Sequence, residues 1–206
     1  MEHSPQEEEF VTSGQVVQVW SYQRTKPIYQ LEWNVDSILK AKYNPSDPNL
    51  LAASCSDRSL LLYDLRGETP VQKITLANKS MALCFNPLEP MNLTAGNDDG
   101  NCYSFDLRRM DRARLIHKGH IGAVTDLDFA SSGRQFASSS FDRTLRLFNF
   151  DSGISREVYH AKRMQVVSAV QFTVDSHYLL SGSEDMNLRM WKTVAWRPTG
   201  KVSVRE

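Results

Sequence analysis

Apolar and polar residues alternate in short bursts along most of this chain, and the bursts are divided by turn-forming residues. Thr144-Leu145-Arg146-Leu147-Phe148 alternates as a half-buried strand does, and Val124 to Phe129 reads the same way. Between them, Ser131-Ser132-Gly133 signals a turn, Gln135 to Ser140 reads as a strand of small residues, and Phe141-Asp142-Arg143 turns the chain again. Asp151-Ser152-Gly153 is a further turn, followed by an outer strand over Arg156 to His160. The same four-strand plan fits Ile38 to Tyr43, Leu50 to Ser54, Leu60 to Asp64 and Val71 to Leu76. It fits Met81 to Phe85, Asn92 to Ala95, Cys102 to Asp106 and Arg114 to His117. Val166 to Phe172, Tyr178 to Ser181 and Asn187 to Trp191 begin a last unit. Phe10 to Thr12, Val16 to Trp20 and Ile28 to Trp33 read as the remainder of a first one. Every connection is short, as antiparallel meanders require.

The units repeat. Small residues run up to an aspartate four times, at Asp57, Asp99, Asp142 and Asp185, spaced 42, 43 and 43 positions apart. Six residues after each aspartate stands an aromatic, Tyr63, Phe105, Phe148 and Trp191, and Trp20 extends that ladder 43 positions upstream of Tyr63. A period of about 40–45 residues with four strands per unit is the signature of propeller blades. The expected fold is therefore all-β, a partial β-propeller of about four and a half to five four-stranded antiparallel WD-type blades. They are placed at about 10–35, 36–78, 79–120, 121–163 and 164–206, the first of them incomplete. Small residues on the second strand let adjacent blades approach closely. An aspartate in the following turn can accept nearby backbone N–H groups.

Composition narrows the function. The chain has 206 residues, 24 basic and 24 acidic side chains and a formal net charge of +0, so a general affinity for phosphate backbones is not written into its average charge. No apolar run approaches the roughly 18 residues of a membrane helix, and no membrane partner is expected. The three cysteines, Cys55, Cys84 and Cys102, form no CxxC pair, and Cys55 and Cys84 read as small core residues. The five histidines show no metal-ligand spacing. No phosphate-binding glycine loop or strained nucleophile elbow is present. The expectation is a non-enzyme with no cofactor, no metal and no catalytic residue.

These residues resemble the WD-repeat family. Gln18-Val19-Trp20, Leu62-Tyr63-Asp64-Leu65-Arg66, Ser104-Phe105-Asp106-Leu107-Arg108, Arg156 to Gln165 and Ser183 to Lys192 more narrowly resemble the Sof-type proteins of the small-subunit processome. In animals these are also classed as cullin-ligase-associated WD-repeat factors. The resemblance implies a nucleolar or nuclear scaffold for small-ribosomal-subunit assembly, with protein partners in the processome. It also implies about seven blades and a basic C-terminal tail. The chain is accordingly expected to be truncated at both ends, and contact with precursor ribosomal RNA to be weak without the tail. In WD propellers the turn aspartate meets a histidine, a hydroxyl and a tryptophan in a buried relay. Only the fourth blade offers most of it, with His120, Ser138 or Ser140, and Asp142, while Phe148 stands where tryptophan is usual. His120 and Asp142 are read as structure rather than as a catalytic dyad.

Partner contacts are expected at three places. Asp64 with Arg66, and Asp106 with Arg108, resemble the Asp-x-Arg endings of propellers that dock a cullin-ligase adaptor, although aspartates also simply close turns. Arg108, Arg109, Arg112 and Arg114 gather around Asp111, and Lys162 and Arg163 lie between the fourth and fifth blades. These clusters suit RNA phosphate or an acidic protein segment, or are ordinary solvated loop charge. Two uncovered blade faces are expected to leave the isolated chain marginally stable, open as an arc, or self-associating.

Overall fold

The computed structural model describes residues 1–32, 37–67 and 70–194. It contains nineteen strands in five antiparallel sheets, and no helix appears among the described residues. The first sheet holds β1 (Glu2–His3), β2 (Glu9–Thr12), β3 (Val17–Ser21) and β4 (Tyr29–Leu31). The second holds β5 (Ile38–Tyr43), β6 (Leu50–Cys55), β7 (Ser59–Asp64) and β8 (Pro70–Thr75). The third holds β9 (Ser80–Phe85), β10 (Asn92–Asn97), β11 (Cys102–Asp106) and β12 (Leu115–His117). The fourth holds β13 (Val124–Phe129), β14 (Gln135–Ser140), β15 (Leu145–Asn149) and β16 (Ser155–Tyr159). β17 (Val167–Phe172), β18 (Tyr178–Ser183) and β19 (Leu188–Lys192) form a three-stranded fifth sheet among the described residues. Strand order follows the chain in every sheet, so each is a meander.

The first sheet differs from expectation. It begins at Glu2 rather than near residue 10, because Glu2 and His3 pair with Val11 and Phe10 and supply a fourth strand. A two-residue polar strand carries no alternation to read. Trp33, at the end of a strand expected from Ile28, and residues 195–206, which include the segment read as the start of a tail, lie outside the described residues.

The sheets stand side by side, with the first strand of each against the first strand of the next. β9 touches β5, β13 touches β9 and β17 touches β13. Alternate side chains of one sheet therefore serve two different cores. Val11, Val17 and Val19 pack with Ala41, Leu51, Leu61 and Tyr63 between the first and second sheets. Leu60 and Leu62 pack with Leu83, Leu93 and Phe105 between the second and third. Ala82 and Cys102 meet Val124, Phe129, Phe136 and Phe148 between the third and fourth. Leu145 and Leu147 meet Val167, Phe172, Leu179 and Trp191 between the fourth and fifth. The aromatic ladder thus turns towards the preceding sheet. Trp20, with no preceding sheet among the described residues, stacks on Phe10 instead at 6.3 Å.

Close approach is enforced by the small residues of the second strands. A Cβ at Gly96 would sit 2.5 Å from Val124 Cγ1 of the next sheet. At the corresponding Gly182 the nearest atom would be Leu188 Cδ2 at 3.7 Å. Gly96→Val should therefore cost about 1–3 kcal/mol by overpacking, whereas Gly182→Val should stay within about 0.5 kcal/mol. Urea unfolding midpoints of the two variants check this, and equal losses would refute the seam geometry.

Polar stitches complete the seams. Asn44 Nδ2 donates to Pro90 O at 2.8 Å, and Asn86 Nδ2 to Gly133 O at 2.9 Å, each from the first turn of one sheet to that of the next. Asp126 and Asp128 accept the inner-edge N–H groups of Val170 (3.1 Å) and Phe172 (2.6 Å). Those groups lack a strand partner and are costly to leave bare.

Candidate docking rims

Because each sheet is a meander, its turns fall on two opposite rims. The first and third turns share one rim, and the second turns share the other with the loops between sheets. This separates the sequence-predicted contact residues. Asp64, Arg66, Asp106, Arg108, Arg109, Arg112 and Arg114 follow third strands and lie on the first rim. Lys162 and Arg163 lie between sheets on the second.

On the first rim the two Asp-Leu-Arg turns have the same build. Asp64 Oδ1 accepts the Arg66 N–H at 3.0 Å and Asp106 Oδ1 the Arg108 N–H at 2.9 Å, so both aspartates close their turns. Leu65 and Leu107 are buried between sheets, which forces the arginine after each outward. Arg66 forks onto Asp47, at 3.2 and 3.3 Å, in an exposed pair worth at most about 1 kcal/mol. Arg108 and Arg109 are exposed and make no ion pair among the described residues.

Arg112 reaches only its neighbour Asp111 at 3.6 Å. Arg114 is already occupied. It lies 3.7 Å from Glu89, 3.6 Å from Asp151 and 5.2 Å over the Phe150 ring. The expected basic cluster is therefore a surface of interspersed sign, with Arg108 and Arg109 as its free cations. Such mixed charge suits complementary protein contact better than a continuous phosphate track.

On the second rim, all four repeat aspartates make the same turn. Asp57, Asp99, Asp142 and Asp185 each accept the N–H two residues on, at 3.0, 3.0, 2.9 and 3.2 Å. The residue after each is left-handed: Arg58 (φ 68°), Gly100 (φ 80°), Arg143 (φ 64°) and Met186 (φ 63°). Of these four, only the turn of the third sheet uses glycine, and there a Cβ would meet His120 O at 2.7 Å. The carboxylate latch holds the other three in a conformation their side chains disfavour.

Asp142 carries the relay. His120 Nδ1 lies 2.9 Å from Asp142 Oδ2 and Nε2 lies 2.7 Å from Ser138 Oγ, so Ser138 rather than Ser140 is the hydroxyl member. Burial alone would raise the Asp142 carboxyl. Hydrogen bonds from His120, Thr144 and the Ile121 N–H outweigh it and hold the group well below the usual carboxylate range. The His120 side chain has no exposed surface, so the pair cannot reach a substrate from this position. Phe148 packs on Phe136 and ends the relay, as its lack of an N–H requires. The outer units keep the opposite fragment. Trp20 Nε1 donates to Thr12 Oγ1 (3.0 Å) and Trp191 Nε1 to Ser181 Oγ (2.8 Å).

A second buried relay was not anticipated from sequence. His117 Nδ1 lies 2.7 Å from Ser152 O, and Nε2 lies 2.9 Å from Ser104 Oγ, itself 2.9 Å from Thr94 Oγ1. A carbonyl only accepts, so Nδ1 carries the proton and Nε2 accepts from Ser104. The signal lay in the register, since Thr94 and Ser104 face each other across β10 and β11, but no spacing motif announces it.

Burial lowers the His117 pKa, against a smaller opposing contribution from the Ser152 carbonyl. The unfolded chain then binds a proton that the folded chain refuses. Stability should fall as pH drops below about 6.5, the ordinary histidine value. Asp128, pushed up to about 6 by burial, acts with the opposite sign, losing stability as pH rises from about 4 towards 6. The clean readout is therefore a difference: His117→Gln should flatten the acid-side loss in urea unfolding between pH 5 and 7, and an unchanged slope would exclude His117 as its source.

The thiols are not poised as ligands or nucleophiles. Burial pushes Cys55 up to about 11, Cys84 up to about 12, and Cys102 upward as well. Among the described residues no group of three or more His, Cys, Asp or Glu could hold a metal ion, and no helix is long and apolar enough to cross a membrane.

Comparison with known proteins agrees with this geometry. The family described as WD domain, G-beta repeat matches residues 113–149 and 156–192. The chain is 45% identical over all 206 residues to DDB1- and CUL4-associated factor 13 of Danio rerio, covering 46% of that protein. It is 43% identical over its full length to the Homo sapiens protein of the same name, again covering 46%. It is 39% identical over 197 residues to Protein SOF1 of Saccharomyces cerevisiae, across 96% of this chain and 40% of that protein. The chain thus spans less than half the length of these curated relatives.

Proposed function

We propose that this chain, a run of WD repeats, is a non-catalytic docking scaffold for assembly of the small ribosomal subunit, working in the nucleolus. The observation that carries the reading is similarity to Protein SOF1 along 96% of the chain, joined to the resemblance of its family-specific segments to Sof-type processome proteins. The mixed-charge first rim supports docking of protein rather than bare RNA, and no cofactor is called for. Affinity purification of the tagged chain from nuclear extract should enrich small-subunit assembly factors together with precursor ribosomal RNA. Nuclease treatment should release the RNA and leave the proteins bound. Recovery of neither class, or exclusion of the tagged chain from nucleoli, would refute the proposal.

A second reading is favoured by one specific feature, the pair of Asp-Leu-Arg turns that present Arg66 and Arg108 from adjacent sheets on one rim. The name of the animal relatives associates them with DDB1 and CUL4. On this reading the chain contributes to receptor binding in a cullin-RING ligase. Arg66→Glu with Arg108→Glu should weaken binding to purified DDB1 at least tenfold without shifting the thermal midpoint. Unchanged binding would dismiss the adaptor role and leave the assembly role standing.

A further inference from the structure

The second rim carries a patch that the docking roles above do not use. The loop over residues 160–166 is clasped between two hairpin turns. On one side His160 Nδ1 lies 3.1 Å from Arg143 O, and on the other the Glu184 N–H donates to Val166 O at 2.9 Å. Met164, only 2% exposed, plugs the loop into the core between the fourth and fifth sheets. Arg163 before it is left-handed at φ 70°, which throws its side chain outward. Arg143, Lys162 and Arg163 are all exposed and make no ion pair among the described residues. The nearby acids are largely spoken for. Asp142 faces its relay, Asp185 is tied to Arg189, and Glu184 is the free one.

Apolar surface adjoins these cations. Ile121 is 92% exposed and Phe141 47%, and the same carboxylate fixes both: Asp142 accepts the Ile121 N–H at 3.1 Å and directly follows Phe141 in the chain. Met186, on the turn that clasps the other side of the loop, is 98% exposed. Unpaired cations beside apolar side chains held out by a rigid turn are the complement of a short acidic segment with aliphatic or aromatic anchors. Single-stranded RNA is the weaker fit. Phe141 and the His160 imidazole are the exposed rings of this patch, too few to stack a run of bases, and three cations neutralise few phosphates.

We infer that the second rim, at the junction of the fourth and fifth sheets, binds an acidic peptide segment with apolar anchors: Arg143, Lys162 and Arg163 hold its carboxylates, and Ile121, Phe141 and Met186 its apolar side chains. The inference rests on the reading of the chain as a docking scaffold and assigns that scaffold a second, separate surface.

The probe is a fluorescein-labelled peptide of about twelve residues, alternating acidic and leucine or phenylalanine positions. Its partners are a charge-matched peptide without apolar residues and an oligouridylate of similar length. Anisotropy with the full chain should show salt-sensitive binding of the first peptide, weaker binding of the second, and weakest binding of the RNA. The triple change Arg143→Glu, Lys162→Glu, Arg163→Glu should lower affinity at least tenfold. Ile121→Ser with Phe141→Ser should remove the preference for the anchored peptide and keep the salt dependence. Should the glutamate triple prove unstable in thermal unfolding, the corresponding glutamine triple is read in its place, with a loss of at least threefold expected. No binding of the anchored peptide, undiminished binding in the stable triple variant, or a preference for oligouridylate would each overturn the inference. The first-rim variant Arg66→Glu, Arg108→Glu should bind the peptide as the parent chain does, and nuclear-extract recovery by the second-rim variants reports the scaffold role independently.

Discussion

Asp142→Ala should be the most damaging single polar substitution in the chain, costing on the order of 3–5 kcal/mol as the loss of one partner from a buried charged network does. One carboxylate receives four donors. They are His120 Nδ1 at 2.9 Å, the Ile121 N–H at 3.1 Å, the Thr144 N–H at 2.9 Å and the Thr144 hydroxyl at 2.6 Å. Alanine removes the acceptor that all four share; His120 Nδ1 and the Thr144 hydroxyl, 3.3 Å apart, are left with each other, and the donors that stay unmet away from water carry a desolvation cost. Asp142→Asn should lose less, because the amide oxygen still accepts. The equivalent Asp57→Ala should cost only about 1 kcal/mol, since Asp57 serves Ser59 and a partly exposed Lys73. The Asp142 contribution is linked to pH. Its folded pKa lies below the unfolded value of about 3.9, so the stability is fully present above that pH and is lost as acid protonates the folded group. Urea unfolding at neutral pH ranks the three variants. A loss at Asp142→Ala no greater than at Asp57→Ala would show that the relay is not the keystone of the fourth sheet.

Phe136→Ala should cost about 3–5 kcal/mol by the combined loss of transfer free energy and the cavity left behind. Phe136 has no exposed surface and stands at the centre of an aromatic cluster. Phe148 stacks on it at 5.2 Å, the His117 ring meets it edge-on at 4.8 Å, and Phe129 lies at 5.4 Å. The substitution therefore removes the packing that joins the third and fourth sheets, and the same ring contact helps to hold the buried His117 relay in place. Phe141→Ala is the matched control, since Phe141 is 47% exposed on a turn and should change stability by no more than about 0.5 kcal/mol. Denaturant midpoints separate the two. Similar losses at both positions would mean that the seam between the third and fourth sheets is looser than drawn.

The outward-facing rim cations follow the same logic of alternation and burial. Leu65, Leu107 and Met164 were plain apolar residues in the sequence, with nothing to mark them as functional. In the fold they are the plugs that decide which neighbouring side chain faces solvent, namely Arg66, Arg108 and Arg163. Arg114 went the other way. As a sequence feature it was one more arginine in a basic run, yet the fold surrounds it with Glu89, Asp151 and the Phe150 ring.

Sequence by itself determined the meander and its period. Strand identity follows from alternation within a few residues, and each turn aspartate acts on a backbone N–H only two positions away, so both are local and legible. The pattern alone bounds Ile38 to Tyr43, Cys102 to Asp106 and Gln135 to Ser140, and the resemblance to WD propellers adds the relay of His120 and Asp142 with Ser138 or Ser140, of which the fold selects Ser138. Tertiary structure alone decided the rest. The Glu2–His3 strand exists only because Val11 and Phe10 offer an edge to pair with. The His117 relay exists because register brings Thr94 opposite Ser104 and packing between sheets brings the Ser152 carbonyl to the His117 Nδ1. Which arginines of one rim are neutralised depends on contacts such as those of Arg114 with Glu89 and Asp151, residues tens of positions apart. A hydrophobic pattern fixes which way a side chain points within its own sheet, but only the packing of neighbouring sheets fixes what it meets there.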